Sequence, residues 1–121
     1  MRHTQSLALA ASFLLSSTLA ACGSSIPPPS DKMASAEAAS RSARELGADK
    51  DPKAALHLRL AQDQIDQAKK LMADGDNKRA DLVLQRANSD AELSVMYAKE
   101  TAATAEATKA KEKVQVMKAG K

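Results

Sequence analysis

The feature that most constrains this chain is the absence of proline after Pro52, combined with a high content of alanine. Of the 90 residues from 32 to 121, 21 are alanine, and β-branched residues are scarce. Alanine has the highest helix propensity, and this composition is typical of long helices. The sequence therefore predicts an all-α domain over residues 32–121.

Capping residues delimit the first helix, which we expect over residues 32–46. Asp31 or Ser30 suits the N-cap, and Gly47 is a natural residue to follow a helix C-terminus. It precedes an antiparallel hairpin that has a shorter first helix and a long C-terminal helix.

Two further helices are predicted to form an antiparallel hairpin. The second begins near Pro52, a favoured first-turn residue, with Asp51 as its N-cap, and stops before Gly75. The third starts after Asp76 and continues to about Lys118.

Small apolar residues recur along the hairpin at alternating steps of three and four, the period of coiled-coil-like packing. On the second helix they are Ala54, Leu58, Ala61, Ile65, Ala68 and Met72, and on the third Ala80, Leu84, Ala87 and Ala91, with Ala98 and Ala105 extending the line at steps of seven. Charges at i,i+4 are expected to pair on the solvent face, as Glu37–Arg41, Arg59–Asp63 and Asp66–Lys70.

The third helix is too long for its partner. At 1.5 Å per residue, residues 76–118 extend about 65 Å, whereas residues 53–73 extend about 32 Å. The part from Ala98 onward must overhang, fold back or pair with another chain. We therefore expect a projecting helix or a homo-oligomer formed through the C-terminal helix.

The N-terminus has the pattern of an export signal. Met1-Arg2-His3 is a short positive region, and the apolar run at residues 7–15 is too short to span a bilayer. The four residues Leu19-Ala20-Ala21-Cys22 then resemble the lipobox of bacterial lipoproteins, although the small residues also suit a plain secretory cleavage. Cys22 is the only cysteine, so it has no internal disulfide partner.

The lipobox resemblance implies that residues 1–21 are removed and that Cys22 carries diacylglycerol and an N-terminal acyl group such as palmitate. Gly23 rather than aspartate follows the cysteine, which in enteric-type sorting favours the outer membrane. Residues 22–31 are then a lipidated, proline-rich tether, and residues 23–30 would span roughly 25 Å as polyproline II.

Residues 61–91, AQDQIDQAKKLMADGDNKRADLVLQRANSDA, resemble a domain-of-unknown-function family of Ala-rich helical hairpins in bacterial envelope lipoproteins. Ala61, Ile65, Ala68 and Leu71, the Gly75-Asp76 turn, and Ala80, Leu84, Ala87 and Asp90-Ala91 carry this resemblance. It extends over about residues 52–99 and implies an antiparallel helical pair, without an activity that can be transferred.

Residues 97–121, YAKETAATAEATKAKEKVQVMKAGK, are similar to the Ala-rich heptads and terminal lysine of murein lipoproteins. That similarity implies a bond between the Lys121 amine and a peptidoglycan stem peptide. Ala119-Gly120 stands where that family has basic or aromatic residues, and a helix that simply ends in lysine is the alternative interpretation.

Other chemistry finds little support in the sequence. The run from Asp74 to Gln85 lacks the glycine and glutamate of a calcium loop, and His57, expected on a helix surface, is the only histidine after the signal. We therefore expect no metal, no cofactor and no enzymatic activity.

Charge gives no reason to expect nucleic-acid binding. Because only Arg2 of the 18 Lys and Arg residues lies in the signal, 17 basic and 15 acidic residues follow it. The sequence thus predicts an outer-membrane lipoprotein that faces the periplasm. It would act as a structural or interaction module for an envelope protein or peptidoglycan, or alternatively as a membrane-to-wall tether through Lys121.

Overall fold

The computed structural model describes residues 26–120 and confirms the all-α prediction. Its elements are α1 (Ser30–Glu45), a 3-10 turn (Ala48–Lys50), α2 (Pro52–Ala73) and α3 (Asn77–Ala119). α2 and α3 form the antiparallel hairpin, and α1 packs against both of them.

The first helix begins earlier than predicted. Pro29, not Ser30 or Asp31, is the N-cap residue, because its carbonyl accepts the Met33 N–H at 3.1 Å. At the other end Gly47 has φ +82°, a left-handed conformation that favours glycine, and its N–H donates to the Arg44 carbonyl at 2.9 Å.

The predicted caps of the hairpin are confirmed. Asp51 Oδ1 accepts the Ala54 N–H at 2.7 Å at the start of α2, and Asp76 Oδ1 accepts the Arg79 N–H at 3.2 Å at the start of α3. Between the helices Gly75 has φ +78°, which allows the tight reversal of the chain.

The core of the hairpin is one line of buried side chains on each helix. We call the line on α3 the inner line; it consists of Ala80, Leu84, Ala87, Ala91, Ser94 and Ala98. The facing residues of α2 are Ala54, Leu58, Ala61, Ile65, Ala68 and Leu71.

Three positions differ from the sequence expectation. Leu71 is buried where Met72 was predicted, and Met72 lies at the edge of the core. Ser94 is fully buried although it is polar, and its hydroxyl is satisfied by donating to the Ala54 carbonyl at 2.8 Å. Ala105 is exposed, since the facing helix has already ended at that level.

α1 uses the same small-residue packing, with Ala36, Ser40 and Ala43 buried. Two ion pairs attach it to the hairpin. Lys32 Nζ lies 2.6 Å from Asp81 Oδ1 on α3, and Lys69 Nζ on α2 lies 2.9 Å from Glu37 Oε1. Glu37 thus pairs across helices rather than with Arg41, and within residues 26–120 none of the three predicted i,i+4 pairs forms an ion pair.

Candidate functional site: the projecting half of α3

The inner line of α3 ends at Ala98, and every residue from Lys99 to Gly120 is exposed. We call residues 99–120 the overhang. At 1.5 Å per residue it extends about 33 Å beyond the three-helix bundle. In the single chain the C-terminal part of α3 therefore projects and does not fold back.

The bundle ends at this level because α2 begins there. Thr101 Oγ1 donates to Asp51 Oδ2 at 3.0 Å, so the N-cap of α2 lies beside the first turn of the overhang. Continued at the same period, the inner line would pass through Thr101, Ala105, Thr108, Glu112 and Gln115, which are mostly polar. This side of the overhang is therefore unsuited to burial.

Larger apolar residues of the overhang lie on two sides of α3: Val116, 72% exposed, lies on the side of the inner line, and Val114 and Met117 lie on the opposite side. Steps of three and four connect a line of exposed residues that we call the outer stripe: Leu93, Met96, Glu100, Ala103, Ala107, Ala110, Val114 and Met117. Met96 is 64% exposed and Met117 is 57% exposed. An exposed line that includes Met96, Val114 and Met117 thus runs along the outer side of α3, past the level at which the inner line ends.

The start of the described chain lies at the opposite end of α3. Asn77 Nδ2 donates to the Ile26 carbonyl at 2.8 Å, and Lys32 at the beginning of α1 reaches Asp81. Because α3 has 43 residues, the overhang ends about 65 Å from this point. Over residues 26–120 the molecule is therefore a rod, with Ile26 near one end and the C-terminal end of α3 at the other.

Both predicted attachment residues, Cys22 and Lys121, lie outside the described residues. Cys22 is four residues before Ile26, so at most about 14 Å of chain separates them. The expected spacer of about 25 Å is shortened, because residues 26–30 already lie at the end of the bundle. Lys121 directly follows Gly120 at the end of the overhang.

A polar cluster connects α2 and α3 on the side of the bundle. Asp90 joins two residues of α2: its Oδ1 lies 2.9 Å from His57 Nδ1, and its Oδ2 accepts from Gln64 Nε2 at 2.8 Å. The His57 ring stacks on Tyr97 with 5.5 Å between centroids, and Lys53 Nζ lies 5.5 Å from the Tyr97 centroid. His57 is thus half-buried and fixes the register of two helices, whereas the sequence placed it on the surface.

A shallow groove of about 500 Å³ runs between α1 and α2. Its walls carry both signs of charge, including Arg41, Arg44 and Asp66. The Ser40 hydroxyl is buried at its base without a hydrogen-bond partner. Mixed charge gives this groove no clear preference for a ligand class.

Among residues 26–120, three ionisable groups have shifted pKa values, each because of a contact that holds the bundle together. The Ala54 N–H lowers the pKa of Asp51, and the Thr101 hydroxyl adds to this effect. The hydrogen bond from Lys32 lowers the pKa of Asp81, and the bond to Glu37 raises the pKa of Lys69. These shifts belong to caps and helix contacts rather than to a reactive centre.

Within the described residues there is no group of three or more His, Cys, Asp or Glu side chains placed to hold a metal ion. Over the same residues, 26–120, no helix combines the length and apolar character needed to cross a bilayer.

Residues 31–117 match the family described as Domain of unknown function (DUF4398), and the chain belongs to that family. The match covers well over half of the chain and extends beyond the residues 52–99 that carry the sequence resemblance. It includes all of α1 except Ser30 and all of α3 except its last two residues, so residues 99–117 of the overhang are part of the family domain. No curated protein and no solved structure matches the chain.

Sequence reasoning missed two features of these surfaces. The outer stripe has the same 3.5-residue period as the inner line, and counting on both sides of α3 would have found it. The contact of His57 with Asp90 joins residues 33 positions apart, and no local pattern indicates it.

Proposed function

We propose that this protein is a lipid-anchored structural or interaction module of the bacterial envelope, held at the outer membrane through Cys22 and acting in the periplasm without catalysis. The observation that carries the proposal is the polarity of the rod. Ile26, the first described residue, lies at one end beside Asn77, and the overhang projects from the other.

The anchor is the best-supported part of this proposal. Two or three acyl chains on Cys22 hold a protein on a membrane far more firmly than one chain does. With at most about 14 Å of chain between Cys22 and Ile26, the α2–α3 turn would lie close to the lipid headgroups. The overhang would then be the part of the domain farthest from the lipid attachment.

The surface of the overhang supports a binding role. A helix is stabilised mainly by tertiary packing of apolar residues, yet every residue of the overhang, including Val114, Val116 and Met117, is exposed in the single chain. The family match continues from the bundle through residue 117. This supports a functional role for the overhang as part of the domain.

The anchor is tested by expressing the full chain with Cys22→Ala. We expect loss of palmitate labelling and release from the membrane fraction, because the thiol that accepts the lipid is gone. Ser24→Ala is the matched control and should leave both unchanged. A Cys22→Ala protein that remains acylated in the membrane would contradict the proposal.

A separate variant tests whether the protein is sorted to the outer or the inner membrane. Gly23→Asp changes only the residue after Cys22, which directs this sorting. In a host with enteric-type sorting, the wild-type protein is expected in outer-membrane fractions and Gly23→Asp in inner-membrane fractions. Identical fractionation of the two proteins in the inner membrane would contradict the outer-membrane assignment.

A second function, the membrane-to-wall tether, is favoured by one observation. The overhang ends about 65 Å from the chain start, and Lys121 follows its last described residue. Wall digestion followed by mass spectrometry should then find a muropeptide on the C-terminal peptide. Lys121→Arg should abolish this adduct and Lys118→Arg should preserve it, whereas an unmodified wild-type peptide would exclude the covalent tether.

A further inference from the structure

The projecting half of α3 carries a heptad pattern along the outer stripe and charged residues on both sides of that stripe. Along the outer stripe, Leu93, Glu100, Ala107 and Val114 occupy the a positions of a heptad, and Met96, Ala103, Ala110 and Met117 occupy the d positions. Charged residues flank the stripe at the e and g positions: Lys99, Glu106 and Lys113 on one side, and Lys111 and Lys118 on the other. In coiled coils these flanking charges set orientation and partner choice.

A parallel pair of overhangs would be opposed by charge. Glu100 would face Glu100 of the second copy across the a layer, and Lys113 would lie beside Lys118 of the second copy. Only Glu106 with Lys111 would be attractive. Like charges that face each other at these positions destabilise the pair.

An antiparallel pair removes these conflicts in one register. When Ala107 of one copy packs against Ala110 of the other, Val114 faces the smaller Ala103 and Glu100 faces Met117. Glu106 then lies beside Lys113 of the second copy, and the two-fold symmetry makes this contact twice. The lysine on the other side, Lys111, lies beside the uncharged Thr104.

Neighbouring registers are opposed by charge. A shift of one heptad in one direction brings Glu106 beside Glu106 of the second copy and Lys99 beside Lys113. A shift in the other direction brings Lys113 beside Lys113. Charge complementarity therefore selects one orientation and one register of a pair formed by two copies of this chain.

We infer that two copies of this protein associate through the outer stripe of their overhangs as an antiparallel helix pair, centred on Ala107 and Ala110. The pair covers residues 100–117, which are all exposed in the single chain. The residues of the three-helix bundle remain free, because the outer stripe lies on the side of α3 that faces away from α1 and α2.

Alanine at the centre allows a close approach of the helices but buries little area, so the association is weak in dilute solution. Confinement of both copies to one membrane raises their effective concentration and favours the pair. This last step rests on the proposed lipid anchor; the pairing itself does not.

The geometry also fixes how the pair lies. In the selected register the two Asn77 residues are about 95 Å apart at opposite ends of a rod. Two anchors near these ends reach one membrane only when the rod lies along it. The antiparallel pair and the wall tether are therefore alternative uses of the overhang.

Cross-linking through added cysteines tests orientation directly. Full-length Glu100→Cys and Met117→Cys proteins, carrying tags of different size, are expressed together and treated in intact cells with a short bis-maleimide. We expect a dimer that contains one copy of each. Either variant alone places its two cysteines about 25 Å apart and should give no dimer.

Two controls complete this experiment. The wild-type protein reports any reaction of Cys22, and Ala105→Cys places a thiol on the exposed side opposite the outer stripe, where no dimer above the wild-type level is expected. A dimer from Met117→Cys alone, as strong as that from the mixture, would overturn the antiparallel orientation. Absence of a dimer from the mixture would overturn the pairing.

Charge exchange gives an independent test, with dimer yield from the Glu100→Cys and Met117→Cys mixture as the readout. Glu106→Lys or Lys113→Glu alone replaces two attractive contacts by two repulsive ones and should weaken association roughly tenfold. The double exchange should restore it. A double exchange that remains as weak as either single variant would contradict the Glu106–Lys113 contact.

Failure of the pair and failure of the anchor are distinguishable. Fractionation of Cys22→Ala reports the anchor alone, and the cross-link is read only on protein that fractionates with the membrane. A membrane-bound protein without the cross-link would overturn only the pair.

Discussion

The two halves of α3 are built from the same residue types but have opposite relations to solvent. In the first half, residues 77–98, alanines at steps of three and four are fully buried against α1 and α2. In the overhang, alanines at the same spacing are exposed. The difference teaches that the period alone does not determine burial. The length of the facing helix decides it, because α2 has 22 residues and α3 has 43.

Leucine truncation on the two sides of α3 should give the largest contrast. Leu84 is fully buried, so Leu84→Ala leaves a cavity and should lower the free energy of unfolding by about 2–5 kcal/mol. Leu82 is 53% exposed, and Leu82→Ala should change it by about 0.5 kcal/mol or less. Urea titration of the purified proteins measures both values, and equal losses would contradict the assignment of the inner line.

Enlarging an alanine should separate the bundle from the overhang. Ala87→Leu inserts three carbons into a packed layer and should destabilise the bundle by about 1–3 kcal/mol. Ala107→Leu adds the same atoms to an exposed position and should leave the unfolding midpoint nearly unchanged. Thermal unfolding by circular dichroism compares the two variants. A large loss for Ala107→Leu would mean that the overhang folds back onto the bundle.

The two glycines at the ends of α3 should respond differently to alanine. Gly75 has a positive φ, so Gly75→Ala should cost about 1 kcal/mol through backbone strain, although the space for a methyl group is open. Gly120 has φ −85°, which alanine adopts without strain, and Gly120→Ala should be neutral or slightly stabilising. Denaturant unfolding measures both variants. Equal shifts of the unfolding midpoint in Gly75→Ala and Gly120→Ala, relative to wild type, would contradict a strained turn at Gly75.

Acid should weaken the bundle through its carboxylates. The pKa values of Asp51 and Asp81 are lowered in the folded protein, so their contribution is complete above the unfolded-state pKa and is lost as the pH falls through the folded-state values. Asp51→Asn keeps a good N-cap residue but cannot titrate. The decrease in unfolding midpoint between pH 6 and pH 3 should be smaller in this variant, and an unchanged decrease would remove Asp51 as a cause.

Much of the fold could be predicted from local signals. Asp51, Pro52, Gly75 and Asp76 mark helix ends through capping and backbone preferences that act within a few residues, and the structure confirms them. The excess length of α3 follows from the same boundaries. Ionic contacts such as Glu37 with Lys69 could not be predicted, because they depend on how α1 lies across the hairpin.

The candidate surface was only partly predictable. The sequence indicates that α3 exceeds its partner, but burial at Ala98 and exposure at Ala105 depend on where α2 begins in space. The position of Ile26 at the α2–α3 turn also needed the structure, since its contact with Asn77 joins residues 51 positions apart. Cys22 and Lys121 rest on sequence resemblance alone.

Hydrogen exchange along α3 tests the central claim, a bundle half and a projecting half in one helix, most directly. In Glu106→Lys, which opposes pairing, amides of residues 80–98 should exchange slowly and those of residues 101–118 rapidly. In the wild-type protein on membranes, slow exchange should return over residues 100–117 only. Uniform slow exchange along the whole helix of Glu106→Lys would contradict the account.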